Sequence, residues 1–221
     1  MNPTDYKKYP RSFHLPFSLG LQNDDKRMSN EHCFNGKDVI VTVKMDGENT
    51  SLYREGLHAR SLDSAHHPSR SVIKQIHSTI KNDIPEGWRI CGENLQCKKS
   101  IHYTNLESFF YVFSVWNEKN EALSYLDTKY FCENLGLTHV EVVDCILDFA
   151  KEEGMSTLEK IYKEVVARGD EGIVVRNVDS FHYKDFQDNL VKAVRKDHVQ
   201  TSVHWMRSKL IPNILRTSLQ S

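Results

Sequence analysis

The chain has 221 residues, of which 39% are hydrophobic and 27% charged, and its 29 lysines and arginines nearly balance 30 aspartates and glutamates for a net charge of −1. This length suits one domain of ordinary to large size that can bury a core without staples. No apolar run approaches the ~18 residues of a membrane span, residues 1–11 have no apolar signal core, and a near-zero net charge means that any nucleic-acid binding must use a local patch. The protein therefore reads as intracellular. Its five cysteines, at 33, 91, 97, 132 and 145, are odd in number and contain no Cys-x-x-Cys pair, which argues against a disulfide framework and a zinc knuckle.

Residues 1–37 are rich in Pro, Asn, Asp and Lys. Phe13, Leu15, Phe17, Leu19 and Leu21 alternate with other residues there, as on a short half-buried strand or an extended arm laid on the core. Val39-Ile40-Val41-Thr42-Val43 is an apolar, β-branched run, the pattern of a buried strand. It delivers Lys44-Met45-Asp46-Gly47-Glu48-Asn49 to a polar turn, and Asp46-Gly47 is a hairpin signal with Thr50 to Tyr53 as the returning strand. Gly56 marks a turn before a short strand, Leu57 to Ser61, that carries Arg60. His66-His67-Pro68 breaks the chain, and with no further ligand at metal spacing the histidine pair reads as loop. Val72, Ile73, Ile76 and Ile80 predict a helix over 69–81, with Ser69 or Ser71 as its cap.

After the turn at Pro85-Glu86-Gly87, Trp88 to Leu95 is the next strand, with Glu93 behind a glycine. Residues 97–105 form a basic loop that suits either plain exposure or substrate contact. Phe109 to Trp116 is the clearest strand, and Asn117 to Glu121 a hairpin-like turn. Ser124 to Leu135 reads as a helix ending at Gly136, Val140 to Cys145 as a short strand, and Thr157 to Arg168 as a helix with Leu158, Ile161, Tyr162, Val165 and Val166 on one face. Glu171-Gly172 then leads into Ile173-Val174-Val175-Arg176, and Asn189 to Lys196 is the last strand. From Phe181 onward Lys184, Lys192, Arg195, Lys196, Arg207, Lys209 and Arg216 outnumber Asp185, Asp188 and Asp197. That basic region suits phosphate or a solvated helix face. Thr201 to Leu215 reads as a helix with Val203, Met206 and Leu210 inward, with Pro212 as an interruption.

Lys44-Met45-Asp46-Gly47 resembles the Lys-x-Asp-Gly nucleotidyl-acceptor motif of covalent nucleotidyltransferases: ATP-dependent DNA and RNA ligases and mRNA capping enzymes. Four further matches follow in the family's order, Ala59-Arg60-Ser61, Gly92-Glu93, Glu171-Gly172-Ile173-Val174-Val175 and Leu190-Val191-Lys192. The likeness covers Val39 to Lys196. Glu48-Asn49 tilts it toward RNA ligases, whose motif commonly ends in Asn, and the whole pattern looks like the small bacterial and phage RNA ligase group.

The resemblance implies roles. Lys44 would attack the α-phosphorus of ATP, for which an amine of ordinary pKa near ~10.4 must be tuned by cations, burial or a metal. Lys192 would act with it as the second catalytic residue, on the α-phosphate. Asn49 would bond phosphate oxygens, Arg60 the ribose or the substrate end, and Glu93 a ribose hydroxyl. Phe113 would stack on the adenine, with Tyr111 as second choice, and Glu171 would bind Mg²⁺ or Mn²⁺. The family usually has Lys-x-Lys in its last motif. Here position 194 is Val, so Arg195 or Lys196 would supply the second cation. With no Gly-x-Gly-x-x-Gly and no Gly-x-x-x-x-Gly-Lys-Ser/Thr loop, ATP would sit in a side-chain cage on strands.

The implied fold is α+β, an ATP-grasp-like ligase adenylation domain of packed antiparallel sheets with flanking helices and no OB-fold. It would be a single domain over 1–221, with a motif-bearing core over 37–196 and a short helical tail over 197–221. The implied activity is ATP-dependent joining of RNA 5′-phosphate and 3′-hydroxyl ends, in RNA repair, in the cytoplasm of a bacterial or phage-infected cell. The rivals are a minimal DNA ligase, a GTP-dependent guanylyltransferase, and a non-catalytic binder of nucleic-acid ends.

Overall fold

The computed structural model describes residues 6–22, 25–29, 32–63, 66–149, 151–196 and 210–216. The run Val39–Val43 forms a strand whose five side chains are all buried, as expected of a strand covered on both faces. In chain order the strands are β1 (Phe13–His14), β2 (Val39–Val43), β3 (Glu48–Leu52), β4 (Leu57–Ala59), β5 (Arg89–Asn94), β6 (Phe110–Trp116), β7 (Glu121–Ala122), β8 (Thr138–His139), β9 (Val142–Ile146), β10 (Gly172–Asn177), β11 (Phe181–His182) and β12 (Leu190–Val194); the helices are α1 (Ser71–Ile80), α2 (Tyr125–Asn134) and α3 (Lys151–Ala167). The first sheet has the order β1-β12-β10-β2-β9, and the second has β11-β7-β6-β5-β3-β4 with β8 beside β6. All pairings are antiparallel except β1 with β12 and β6 with β8. The fold is thus α+β, as the sequence implied.

Strand alternation sorts the side chains. The odd-numbered residues Val39, Val41, Ile173, Val175, Val191 and Ala193 pack under α3 against Leu158, Ile161, Tyr162 and Val165. Even-numbered Thr42, Val174 and Lys192 point the other way, into a cleft facing the second sheet. On that sheet's far side, Leu52, Ile90, Phe110 and Val112 pack against Ile73 and Ile80 of α1 and Cys132 of α2. The sheets meet at one end of the cleft through Tyr9, Cys91, Trp116, Phe186 and Leu190, with Val174 beside them.

Several expectations need correction. β2 and β3 do not form a hairpin, because β2 pairs with β9 and β10 while β3 pairs with β4 and β5. Asp46-Gly47 instead carries the chain from one sheet to the other. A Cβ on Gly47 would lie 2.5 Å from the Asn94 carbonyl oxygen, so only glycine fits the crossing. The helix over 69–81 starts as a 3₁₀ turn at Pro68 whose cap is His67, not a serine. α3 begins at Lys151, ahead of the apolar stripe, because Gly154 makes room there for the buried Phe149 ring. In the N-terminal arm Leu15 is buried but Leu19 is exposed.

The expected C-terminal helix lies outside the described residues up to 209, and residues 210–216 are extended rather than helical. Pro212 has no N–H and disfavours the helical conformation at Ile211. The segment lies instead along the 96–107 loop: Lys98 N donates to Ile211 O (2.8 Å), Asn213 N to Gln96 O (3.1 Å), Ile214 N to Tyr103 O (2.9 Å) and Arg216 N to Leu106 O (2.7 Å). Asn213 is buried; its amide donates to Leu95 O (2.8 Å) and accepts from Tyr103 N (3.0 Å). Asn213→Ala leaves both of those backbone groups without this partner. It should lower unfolding free energy by about 1–3 kcal/mol in urea titrations, with faster amide exchange at Tyr103.

Candidate active site

The site is built where β2, β10 and β12 end together. Gly172 has a φ of +154°, and a Cβ there would lie 2.0 Å from the Ala193 carbonyl oxygen, so β12 runs hard against β10. Lys44 N donates to Gly172 O (2.8 Å) and Arg195 N to Glu171 O (2.9 Å). These backbone bonds bring Lys44 Nζ to 2.7 Å from Glu171 Oε2, and Glu171 is buried. On β12, Lys192 Nζ lies 3.5 Å from Asp25 Oδ1. The other Asp25 oxygen is 3.1 Å from Nε2 of the buried His14.

The cleft between the sheets is a cavity of about 490 Å³, and Lys44, Asn49, Arg60, Glu93, Phe113 and Lys192 all line it. Across from Lys44, Glu93 Oε1 accepts from Gly47 N (3.2 Å). Asn49 Oδ1 is buried with no protein partner. Because an asparagine amide can be turned end for end, that position offers a ligand either an acceptor or an N–H donor. Arg60 Nε reaches Tyr9 O (3.4 Å). Phe113 sits at a register shift: Cys91 pairs with Ser114 and Gly92 with Val112, which leaves Phe113 as the extra residue of a bulge. A bulge re-aims a side chain, and Phe113 faces the cavity with the Tyr9 ring packed edge-on, centroids 5.1 Å apart. Tyr111, the second choice, is buried among Leu95, Leu106 and Val140, where its hydroxyl accepts from Glu107 N (2.9 Å).

Arg195 and Lys196 are not part of this cluster. They line a separate cavity beside Tyr162 and Val166 of α3. Arg195 continues the odd-numbered face of Val191 and Ala193, and Lys196 lies past the end of β12, so neither supplies a second cation to the cleft. The sequence reading passed over Arg70, which holds Glu48 through two 2.6 Å bonds, and Tyr9, and left open a substrate role for the basic loop whose Lys99 lines the cleft with them. Arg70 and Tyr9 carry no pattern of their own; Lys99 stood in a loop whose only signal was its charge.

The electrostatics favour an anion. Arg11, Lys44, Arg60, Arg70, Lys99, Arg176 and Lys192 face only Glu48 and Glu93 among the acids of the lining, a local positive field on a chain of net charge −1. Burial lowers the Lys44 pKa, but Glu171, Glu93 and Asp46 outweigh it, and the amine is held above its ordinary value. The amine is thus tuned upward, the reverse of what nucleophilic attack requires. Burial also lowers Lys192, which Asp25 partly restores. Glu93 is pushed up to about 8 by burial, with Glu171 and Asp46 adding to the effect. Among the described residues no cluster of three or more His, Cys, Asp or Glu side chains is placed to hold a metal. Glu171 offers a hard carboxylate oxygen, so it fits a Mg²⁺ or Mn²⁺ whose remaining oxygen ligands come from phosphates and water.

A family model described as RNA ligase matches residues 37–194, and the chain belongs to that family. Solved structures share its fold. An archaeal ATP-dependent RNA ligase, form 2, has a TM-score of 0.58 at 16% identity, over 86% of this chain and 48% of its own. Form 1 of an archaeal ATP-dependent RNA ligase gives 0.55 at 17%, over 82% and 48%. A Naegleria gruberi RNA ligase variant solved with ATP and Mn gives 0.51 at 18%, over 87% and 59%. The chain thus spans about half the length of these solved proteins. A search of the curated proteins returned no match.

Glu93 makes stability depend on pH. Its carboxyl ionises near its ordinary 4.5 when unfolded and near 8 when folded, so the folded state binds the extra proton between these values and stability falls as pH rises through them. Below 6.5 the lowered pKa values of His58 and His139 act in the opposite direction. The loss should therefore show between pH 6.5 and 8 as a falling melting temperature in the ligand-free protein, and Glu93→Gln should flatten that slope.

Proposed function

We propose that this chain carries the nucleotidyltransferase domain of an ATP-dependent RNA ligase that works through a lysyl-AMP intermediate. The observation that carries the reading is the convergence of Lys44, Glu93 and Lys192, from three strands or strand ends, on one cleft, with the buried Glu171 bonded to Lys44 at its edge. A non-catalytic end-binder has no need of a half-buried lysine held against a buried carboxylate.

Lys44 acts as the nucleophile once it has lost its proton. Glu171 holds that proton on Lys44 in the ligand-free protein and would hold a Mg²⁺ or Mn²⁺, whose charge would weaken the ion pair and let the proton pass to solvent. A bound Mg²⁺ or Mn²⁺ would supply charge neutralisation on the phosphates. Lys192, on β12 across β10 from Lys44, stabilises the charge that builds on the α-phosphate and disfavours a second cation at Lys44. The Lys44 nitrogen forms a bond to the α-phosphorus as the bond to the β-phosphate oxygen breaks, and pyrophosphate leaves. Phe113 offers its ring to the adenine, and Glu93 and Arg60 offer an acceptor and a donor to the ribose. In the second step a 5′-phosphate oxygen of RNA takes the AMP from Lys44. In the third a 3′-hydroxyl oxygen attacks that 5′-phosphate, a phosphodiester forms and AMP departs, with Asn49 bonding phosphate oxygens. Such ends are what RNA breaks leave, so the setting we propose is RNA repair inside the cell.

With α-labelled ATP and Mg²⁺, wild type should take up label that is lost in acid and kept in base. Lys44→Ala should take up none, and Lys192→Ala or Glu171→Ala should fall by at least about 100-fold. A nick with RNA on the 3′-hydroxyl side should then be sealed in preference to one with DNA. Absence of label on wild type with ATP, GTP or other nucleotides, with either Mg²⁺ or Mn²⁺, would refute the ligase reading.

A further inference from the structure

Lys44 and Lys192 stand on the first sheet, and a polyphosphate lying between two sheets also meets the opposite wall. There the cleft is lined by Lys99, from the loop that follows β5. This loop is fixed from two sides. Asp46 Oδ2 accepts from Ser100 N (2.7 Å), Ser100 Oγ (2.7 Å) and Ile101 N (2.6 Å), and Asp46 N donates to the Tyr103 hydroxyl (2.9 Å). On its outer side, the 210–216 segment and Asn213 hold the same loop. Lys99 therefore stands directly beside a backbone clamped to Asp46, which is itself two residues beyond Lys44.

We propose that Lys99 is a phosphate-contacting residue of the cleft, the cation of the wall opposite Lys44 and Lys192. The inference rests on the ligase reading and adds a residue to it. Three observations support it. Lys99 is half-buried, unlike the neighbouring Lys98, which is exposed. The loop that carries it is anchored by a carboxylate that spends three bonds on that loop and none on closing a turn. And burial pulls the Lys99 amine down to about 8 against the pull of Glu48 and other nearby groups, as expected of a cation that an incoming anion would stabilise. Both the phosphates of ATP and the 5′-phosphate of RNA present this chemistry.

The test compares Lys99→Met, which keeps the apolar stem without the charge, with Lys99→Arg and with Lys98→Met as the exposed control, each checked for an unchanged melting curve. If the partner is the nucleotide, calorimetric titration should show α,β-methylene ATP bound about 10-fold or more weakly by Lys99→Met, AMP bound within twofold of wild type, and Lys99→Arg restoring most of the loss. If the partner is the RNA end, nucleotide binding and enzyme labelling stay normal, while AMP transfer to a 5′-phosphorylated RNA falls by a similar factor. Lys98→Met should change neither. Lys99→Met within twofold of wild type in both arms overturns the proposal while leaving the ligase reading intact. A wild type that takes no label and binds no nucleotide removes both.

Discussion

The cleft depends on how closely β12 approaches β10. A side chain at Gly172 would collide with the Ala193 carbonyl, and so its absence allows three strands to end within reach of one another. Only then does the backbone of Lys44 bond Gly172, and that of Arg195 bond Glu171. The 2.7 Å contact between Lys44 and Glu171 follows from this packing. An ion pair between long, mobile side chains at a surface is worth little. Here the two ends are fixed by sheet hydrogen bonds before the charges meet, so little side-chain freedom is lost in making it.

Without ligand, the cleft neutralises itself. Glu171 faces Lys44, Asp25 faces Lys192, and Glu48 holds Arg70. These three pairs offset part of the cost of desolvating their charges, while the buried Arg176 has carbonyl partners, Asn177 O and Leu123 O. An entering polyphosphate thus exchanges partners instead of filling bare cationic sites. Asp25 is of particular interest because it comes from the N-terminal arm, whose β1 pairs with the strand carrying Lys192. The arm is part of the site's electrostatics, and nothing in its composition announced this.

The sequence made the strands and the motif-bearing residues readable for a physical reason: β-branched runs and a lysine or acid at a strand end are local patterns. The positions of Lys44, Glu93, Glu171 and Lys192 around one cleft follow from those runs once the strands pair. What escaped depends on partners far along the chain. Asp46-Gly47 has the composition of a hairpin, yet its turn chemistry goes to residues 100–101 and its glycine to a close pass by Asn94. Arg195 and Lys196 looked suitable by charge, but the pleat turns the former toward α3, and the strand stops before the latter. The aim of Phe113 depends on a bulge that is set by its register with β5. The extended segment at 210–216 depends on a loop more than a hundred residues earlier in the chain.

The order of the strands also governs how the chain assembles during synthesis. In the second sheet, β3, β4, β5 and β6 are near one another in sequence and pair among themselves. In the first sheet, Phe13 pairs with Val191 and Val41 with Val175, so closure waits for β12 and bears the entropy of long loops. A growing chain on the ribosome can therefore build one half of the cleft early, while Lys44 has no carboxylate to meet until β10 has emerged. The wall of the cleft that carries Lys44 is complete only once β12 is paired, and a chain truncated before β12 would have Lys44 without Lys192.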